Sequence, residues 1–219
     1  SRLHAVESAT IDEAACASFF KALGHARRPL IYAGGGIVSA GAAEALHDFA
    51  HTFGIPVVTT LMGIGGFDTT DPLSLNMLGM HGAAYANYAM DDCDFVFALG
   101  ARFDDRVVGV PAKFAPKARS IAQIDIDTAE IGKVKAVDWH HVGTLDVSLA
   151  RLTAYGKRTG FRPDYAPWLE HVAALKATHP MNFCRKSDTI QPCAVIEAIN
   201  RITKGRAIIS TGVGQHQMW

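Results

Sequence analysis

The sequence has little charge, and its apolar residues form no long run. Charged residues make up only 19% of the 219 residues, and 21 basic side chains balance 21 acidic ones. Zero net charge argues against a protein that binds nucleic acid or an anionic membrane surface. No apolar run approaches the roughly 20 residues of a membrane-spanning helix, so we expect no membrane segment.

Cysteine is also scarce, and none of it forms a CxxC pair. The four cysteines are Cys16, Cys93, Cys184 and Cys193. Arg2 and His4 precede no signal-like apolar stretch, and we therefore expect a cytoplasmic protein with reduced thiols. The sequence lacks an HExxH motif, and we expect no metal ligand among the side chains of this chain.

Short apolar segments alternate with segments of helical spacing. The predicted strands are PLIYA (29–33), IPVVTT (55–60), DFVFALG (94–100), RSIAQIDID (119–127) and AVDWHHV (136–142). The predicted helices are 11–23 with Asp12 as N-cap, 39–54 from a Ser39 cap to a Gly54 stop, 82–93, 129–135 and 144–156. Continuously apolar strands separated by helices indicate a parallel sheet covered on both faces. We predict a doubly wound α/β domain over residues 1–155.

The composition changes after this domain. Residues 156–190 mix charge, glycine and proline and predict a linker with one helix, WLEHVAALKATH (168–179). Residues 191–219 predict a helix, CAVIEAINRIT (193–203), a strand, AIIS (207–210), a glycine turn and the start of a helix, QHQMW (215–219). A strand, a glycine turn and a helix are the parts of a phosphate-binding unit. This region is therefore predicted to hold the first elements of a second α/β domain.

Glycines and charged residues cluster where the predicted strands end, which is where open parallel sheets bind ligands. The segments are GGG (34–36), TLMG (60–63), GARFDDR (100–106) and DID (125–127), joined by LGMHG (78–82) before a predicted helix. Glycines let a ligand approach the backbone, and Arg102 and Arg106 supply positive charge for phosphate or ribityl oxygens. Asp125 stands where adenosine hydroxyls are commonly held. Together these segments predict a dinucleotide site; the alternative is tight turns beside a surface ion-pair network.

The glycine run does not fit every dinucleotide-binding protein. GGGIVSAG lacks the GxGxxG fingerprint, which argues against an ordinary NAD-dependent dehydrogenase. GGGI, LGMHG, GARFDDRV, DIDTAEIGK and GVGQHQMW, in this order, instead resemble the catalytic (large) subunit of acetolactate synthases, also called acetohydroxyacid synthases. The resemblance covers essentially the whole chain, and GARFDDRV and GVGQHQMW are very specific.

The resemblance implies an enzyme of three α/β domains. These are a pyrimidine-binding first domain, an FAD-binding middle domain and a third domain that holds thiamin diphosphate and Mg²⁺. The chain resembles the middle domain and the opening of the third, and is expected to be a fragment cut where the cofactor loop begins. The resemblance also implies a homodimer or homotetramer and leaves room for a small regulatory subunit.

The resemblance further implies a reaction of branched-chain amino acid biosynthesis. The full enzyme would decarboxylate pyruvate and join the hydroxyethyl unit to pyruvate or 2-oxobutyrate, giving 2-acetolactate or 2-aceto-2-hydroxybutyrate. Thiamin diphosphate would be the electron sink, and FAD would do no net redox chemistry. The activating glutamate of the first domain and the GDG…N metal motif of the third are not among these 219 residues. The fragment alone is therefore expected to be inactive.

Site residues follow by motif match to the family. FAD contacts fall on Gly34, Gly35, Gly36, Thr60, Leu61, Met62, Leu78, Gly79, Met80, His81, Gly100, Ala101, Arg102, Asp104, Arg106, Val107, Asp125, Ile126, Glu130, Gly143 and Thr144. Thiamin diphosphate contacts fall on Val213, Gly214, Gln215 and His216, and Met80, Asp105 and Arg106 match the substrate channel and herbicide site. No catalytic residue falls in this chain. Thr144 stands where the family usually has an acid that holds the adenine end, although it can cap the next helix and still hydrogen-bond.

Two other functions remain open at this stage. One is a different carboligase or decarboxylase of the same superfamily that acts on another 2-oxo acid. An FAD-free relative would lack the arginine-bearing loop GARFDDR. The other is a free-standing nucleotide-binding module without catalysis, in which the last predicted strand and loop would serve no purpose.

Overall fold

The chain is divided into two compact units, Ser1–Pro180 and Met181–Trp219. The computed structural model describes residues 10–181, 188–212 and 214. Across these residues, no helix combines the length and the apolar character that crossing a membrane requires. Cys16, Cys93 and Cys193 are free thiols, and Cys184 lies outside the described residues.

The first unit is built on a six-stranded sheet in which every neighbouring pair is parallel. Its strands are β1 (Pro29–Ala33), β2 (Val57–Thr59), β3 (Ser74–Met77), β4 (Phe95–Leu99), β5 (Ser120–Asp125) and β6 (Trp139–Val142). Their order, β3-β2-β1-β4-β5-β6, reverses direction between β1 and β4. That order defines a doubly wound sheet with its switch point at β1 and β4. The predicted fold class is confirmed.

Seven α-helices in the described part of the first unit connect and cover these strands. They are α1 (Glu13–Leu23), α2 (Gly35–Ser39), α3 (Ala43–Phe53), α4 (Ala84–Asp92), α5 (Asp105–Val108), α6 (Leu145–Arg158) and α7 (Ala166–Thr178). Helices α1, α3 and α6 pack against one another, and α4 packs against α7. Every residue of β1 and β4 is buried, as expected for central strands covered on both faces.

Aromatic side chains tie α1 to the sheet. The ring of Phe19 lies 4.7 Å from that of Phe97 on β4 and 5.0 Å from that of Trp139 on β6. On another part of the unit, the buried indole of Trp168 in α7 donates to the carbonyl oxygen of Pro29 at 2.9 Å. These contacts fix the helices on the central strands and so hold the strand ends in place.

The ends of two helices follow the predicted signals, and one does not. The Asp12 carboxylate accepts from the Ala15 N–H at 2.7 Å, and Gly54 ends α3 in a left-handed conformation with φ 66°, as predicted. Ser39 is not an N-cap, because it is the last residue of α2 and α3 begins only at Ala43. Gly41 causes the break: its φ of 62° is a left-handed conformation that an α-helix cannot contain.

Other predicted elements also differ from the structure. The predicted helix 129–135 is absent, and a single 3-10 turn at Thr128–Glu130 takes its place. The edge strand β3 was not predicted, because its sequence SLNM is short and partly polar. In the second unit, α8 (Pro192–Thr203) is present, but residues 207–210 form no strand. The sheet includes no residue of this segment, and an extended segment forms a β-ladder only beside a partner strand. The predicted helix start at 215–219 lies outside the described residues.

Candidate functional site

A cleft of about 880 Å³ lies at the carboxyl edge of the sheet. Its walls are the loops that follow β1, β2, β4, β5 and β6, so it crosses the switch point. Adjacent strands are about 4.8 Å apart, and five strand ends in a row therefore span about 19 Å. A groove of this length at a switch point suits an extended dinucleotide.

Most of the residues predicted for FAD line this cleft. They are Gly34, Gly35, Gly36, Thr60, Leu61, Met62, Gly100, Ala101, Arg102, Asp104, Arg106, Val107, Asp125, Ile126, Glu130, Gly143 and Thr144. The lining also includes residues that were not assigned to FAD by the motif match: Tyr32, Ser39, Ala40, Asp127, Leu145 and Asp146.

The glycines at the switch point allow two backbone segments to touch. The Gly34 N–H donates to the Leu99 carbonyl oxygen at 2.9 Å, and the Gly36 N–H donates to the Gly100 carbonyl oxygen at 3.2 Å. A Cβ atom on Gly34 would lie 2.1 Å from the Gly100 carbonyl oxygen. Gly100 itself has φ 54°, a conformation that favours glycine. The floor of the cleft therefore depends on this close approach.

The loop after β4 presents the arginines. The Arg102 side chain is 69% exposed, and its guanidinium lies 3.8 Å from an Asp104 carboxylate oxygen, which is a weak surface ion pair. Asp104 caps α5, since it accepts from the Arg106 N–H at 3.0 Å. That hydrogen bond, with one from Asp105 and the two guanidinium charges, lowers the pKa of the Asp104 carboxyl. Arg102 is thus free to turn toward an anion in the cleft.

Phe103 holds this loop in an unusual conformation. Its φ of 55° is left-handed, which costs a bulky residue about 1–3 kcal/mol. Its ring is buried and lies 5.4 Å from the ring of Tyr32 and 6.0 Å from that of Phe114. This aromatic packing fixes the backbone turn at Phe103, between Arg102 and Asp104.

Tyr32 contributes a polar atom without a protein partner. Its side chain is fully buried on β1, and its hydroxyl forms no hydrogen bond within the described part of the chain. Burial, with a smaller contribution from the Asp104 charge, raises the pKa of this hydroxyl. Tyr32 is among the residues that line the cleft, and a buried polar group normally has a hydrogen-bond partner, so its hydroxyl is a candidate to contact a bound ligand. The sequence held a weak signal, a tyrosine one residue before the end of an otherwise aliphatic strand.

Asp125 supplies a carboxylate at the end of β5. It is only 7% exposed, and its Oδ1 accepts from the Asp127 N–H at 2.9 Å. Burial raises the pKa of this carboxyl, while the N–H groups of Asp127 and Ile126 act in the opposite direction. The loop behind it is anchored by Gln123, whose side-chain amide donates to the Glu130 carbonyl oxygen at 3.1 Å. The arrangement offers hydrogen-bond acceptors to ligand hydroxyls.

The remaining predicted residues lie elsewhere. Leu78, Gly79, Met80 and His81 follow β3 at the sheet edge and do not line the cleft. Their loop contacts the arginine segment through the Met80 N–H, which donates to the Arg106 carbonyl oxygen at 3.3 Å. Asp105 lines a smaller, adjoining cleft of about 300 Å³ that shares Arg102, Asp104 and Glu130 with the main one. Gly214 is exposed in the second unit, and Val213, Gln215 and His216 lie outside the described residues.

Thr144 occupies the N-cap position of α6, where the family pattern has an acid. Its backbone carbonyl accepts from the Ser148 N–H at 3.1 Å, but its side chain makes no capping hydrogen bond. Thr144 is therefore at the predicted cap position, but its side chain does not cap the helix.

Fold and cleft together define a doubly wound α/β domain with a ligand groove at its switch point. The family model "Thiamine pyrophosphate enzyme, central domain" matches residues 16–152. The chain belongs to this family.

Curated relatives agree with the family model. The chain is 44% identical over 207 residues to an acetolactate synthase large subunit of Parasynechococcus marenigrum (strain WH8102), covering 94% of this chain and 33% of that protein. It is 45% identical over 199 residues to acetolactate synthase 1, chloroplastic, of Zea mays, covering 90% of this chain and 31% of the relative. The resemblance to acetolactate synthase large subunits is confirmed. The chain spans about a third of the length of these relatives.

Proposed function

We propose that residues 1–155 form the FAD-binding middle domain of an acetolactate synthase large subunit. Residues 156–190 would be a linker with a helix, and residues 191–219 the start of the domain that holds thiamin diphosphate. The observation that supports the FAD assignment most strongly is the cleft across the switch point, which is lined by most of the residues matched to FAD. The identity to acetolactate synthases supports the choice of enzyme.

The residues of the cleft fit a flavin dinucleotide. Arg102 and Arg106 would pair with its diphosphate or ribityl oxygens, because a guanidinium binds such oxygens through charge-assisted hydrogen bonds. The Asp125 carboxylate would accept from ribose hydroxyls, and the Tyr32 hydroxyl would gain the partner it lacks. Gly34 and Gly36 would leave the cleft floor open to the ligand. In the complete enzyme FAD would be structural, while thiamin diphosphate with Mg²⁺ would supply the electron sink.

Replacing Tyr32 with phenylalanine separates folding from binding. Because the hydroxyl has no protein partner, Tyr32→Phe is expected to leave the free energy of unfolding unchanged or slightly higher. The same change removes one hydrogen bond to FAD, worth about 0.5–1.5 kcal/mol, and should weaken FAD binding roughly 2- to 10-fold. Urea denaturation without FAD and flavin fluorescence titration measure the two effects. Unchanged FAD affinity would show that the hydroxyl does not face the ligand.

The reaction, assembly and location belong to the same proposal. The whole protein would decarboxylate pyruvate and condense the two-carbon unit with pyruvate or 2-oxobutyrate. It would work in the cytoplasm as a homodimer or homotetramer, with room for a regulatory subunit. Met80, Asp105 and Arg106 would border the substrate channel, and Leu78, Gly79 and His81 would approach FAD from the loop after β3. Val213, Gly214, Gln215 and His216 would contact thiamin diphosphate.

Activity assays test this part of the proposal. The 219-residue chain with pyruvate, thiamin diphosphate, Mg²⁺ and FAD is expected to form no acetolactate, since it contains no GDG…N motif for the metal. A protein in which this segment is continuous with the other two domains should form acetolactate under the same conditions. Turnover by the chain alone, or a different 2-oxo acid preferred by the longer protein, would contradict the assignment.

A further inference from the structure

A histidine and aspartate cluster lies on the surface of the first unit, formed by residues outside the cleft lining. His47 and His51 are one turn apart on α3, and their rings are 4.2 Å apart between centroids. Both Nε2 atoms approach the same Oδ2 atom of Asp71, at 3.6 Å from His47 and 2.7 Å from His51. One ligand atom from each of the three side chains lies within 4.8 Å of the others.

The spacing of these atoms is close to that of a metal-binding set. Tetrahedral Zn²⁺ binds nitrogen and oxygen at about 2.0–2.1 Å, which places ligand atoms about 3.3 Å apart. The two nitrogen–oxygen distances, 2.7 and 3.6 Å, bracket this value, and the ligand atoms of the two imidazoles lie within 4.8 Å of each other, so side-chain rotations would complete the geometry. With three protein ligands, the fourth position would be open to water.

The carboxylate is already oriented toward the histidines. Its other oxygen, Oδ1, accepts from the Leu73 N–H at 2.8 Å, an outer hydrogen bond of the kind that fixes a metal-binding carboxylate. Burial raises the pKa of Asp71, but the hydrogen bonds from His51 and Leu73 and the nearby His47 lower it overall, so the carboxylate is ionised at neutral pH. His51 lies in the last turn of α3, where the helix dipole favours a cation.

Other charged groups surround the cluster. The Asp68 carboxylate interacts with His47 and adds negative charge. Lys176 of α7 donates to the Pro72 carbonyl oxygen at 3.2 Å and interacts with Asp71, which places one opposing positive charge nearby. With two carboxylates and one ammonium group, the net charge of these groups is negative, which favours a divalent cation.

We propose that His47, His51 and Asp71 bind a divalent transition-metal ion of the Zn²⁺ type, which clamps α3 to the loop before β3. Imidazole nitrogens suit Zn²⁺, and a carboxylate completes a set that hard ions such as Mg²⁺ do not prefer. No metal ligand was expected in this chain from its sequence. The HxxxH spacing within the predicted helix 39–54 was the available signal, whereas Asp71 is 20 residues from His51 and joins only through the fold.

Zn²⁺ binding to the full chain tests the site. Competition with a chromophoric chelator at pH 7.5 should detect one site per chain whose affinity falls at least tenfold in His47→Gln and in Asp71→Asn. The asparagine keeps an oxygen for the Leu73 N–H, and His47 is largely exposed, so both variants should fold. His25→Gln, at an exposed histidine after α1, is the matched control and should bind Zn²⁺ like the parent.

Thermal stability supplies a second measurement. With free Zn²⁺ at about 100 times its Kd, the Tm of the parent and of His25→Gln should rise by about 5–10 °C, with no such rise in His47→Gln. Affinity should also fall as the pH is lowered, because imidazole binds metal only when neutral. Equal Zn²⁺ affinity in all four proteins, or no increase in the Tm of the parent, would overturn the proposal and leave the cluster an ion pair.

Discussion

Gly34→Ala is expected to destabilise the first unit by about 3 kcal/mol, the upper end of the usual range for overpacking. The added Cβ would lie 2.1 Å from the Gly100 carbonyl oxygen and 2.7 Å from the Ala101 Cα. Both are backbone atoms on the neighbouring strand end, so neither can rotate away. The backbone of Gly34, with φ −101° and ψ −173°, is open to alanine, and the cost is therefore steric alone.

The same substitution should also disturb the cleft. Relief of the clash requires β1 and β4 to separate at their ends, where the Gly34 N–H donates to the Leu99 carbonyl oxygen. FAD affinity is therefore expected to fall together with stability. Urea denaturation measures the loss of stability. Flavin fluorescence titration of the folded variant, without urea, measures the loss of FAD affinity.

Gly35→Ala is the matched control. Its Cβ would lie 3.0 Å from the Met62 Cβ and 3.3 Å from the Met62 carbonyl oxygen, so the loop that carries this exposed residue must shift, but far less than the backbone beside Gly34. We expect a loss of about 1 kcal/mol in the free energy of unfolding, the lower end of the range for overpacking. If Gly34→Ala is as stable as Gly35→Ala, the close approach of the two strand ends is wrong.

Arg102→Ala is expected to weaken FAD binding by roughly 10- to 100-fold. A charge-assisted hydrogen bond is worth about 1.5–3 kcal/mol, and 1.4 kcal/mol corresponds to one decade of affinity. Folding without FAD should hardly change, because the side chain is 69% exposed and its ion pair with Asp104 spans 3.8 Å. Arg102→Lys should recover only part of the affinity, since lysine lacks the planar fork of the guanidinium.

Arg151→Ala provides the control for loss of a positive charge. Arg151 is exposed on α6 and does not line the cleft, so its replacement should leave FAD affinity unchanged. Flavin fluorescence titration of the three variants beside the parent makes the comparison. If Arg102→Ala binds FAD as tightly as Arg151→Ala while folded, the arginine loop does not contact the cofactor.

Local sequence patterns predicted most of the buried strands and the helices between them. The strands β1 and β4 are almost entirely apolar because helices cover both faces of the sheet, and α1 begins at the predicted Asp12 cap. The edge strand β3 lacks this pattern, so it went unpredicted. The segment 207–210 has strand composition, but β-structure also needs a partner strand, which composition does not report.

The candidate site was predictable to the extent that it lies at strand ends. The sheet topology brings the segments after β1, β2, β4, β5 and β6 to one edge, and the family resemblance identified them. Tyr32 escaped notice because it lies inside a strand, and only its side-chain environment shows that the hydroxyl lacks a partner. His47 and Asp71 meet across an intervening strand and loop, a contact that no short motif encodes.

The most direct test of the central claim is calorimetric titration of the 219-residue chain with FAD, combined with hydrogen exchange of the complex. The cleft at the β1–β4 switch point predicts saturable binding of one FAD per chain. It also predicts slower exchange in the segments 34–36, 100–107 and 125–130 than in the chain without FAD. Absence of saturable binding, or protection confined to segments away from these strand ends, would contradict the account.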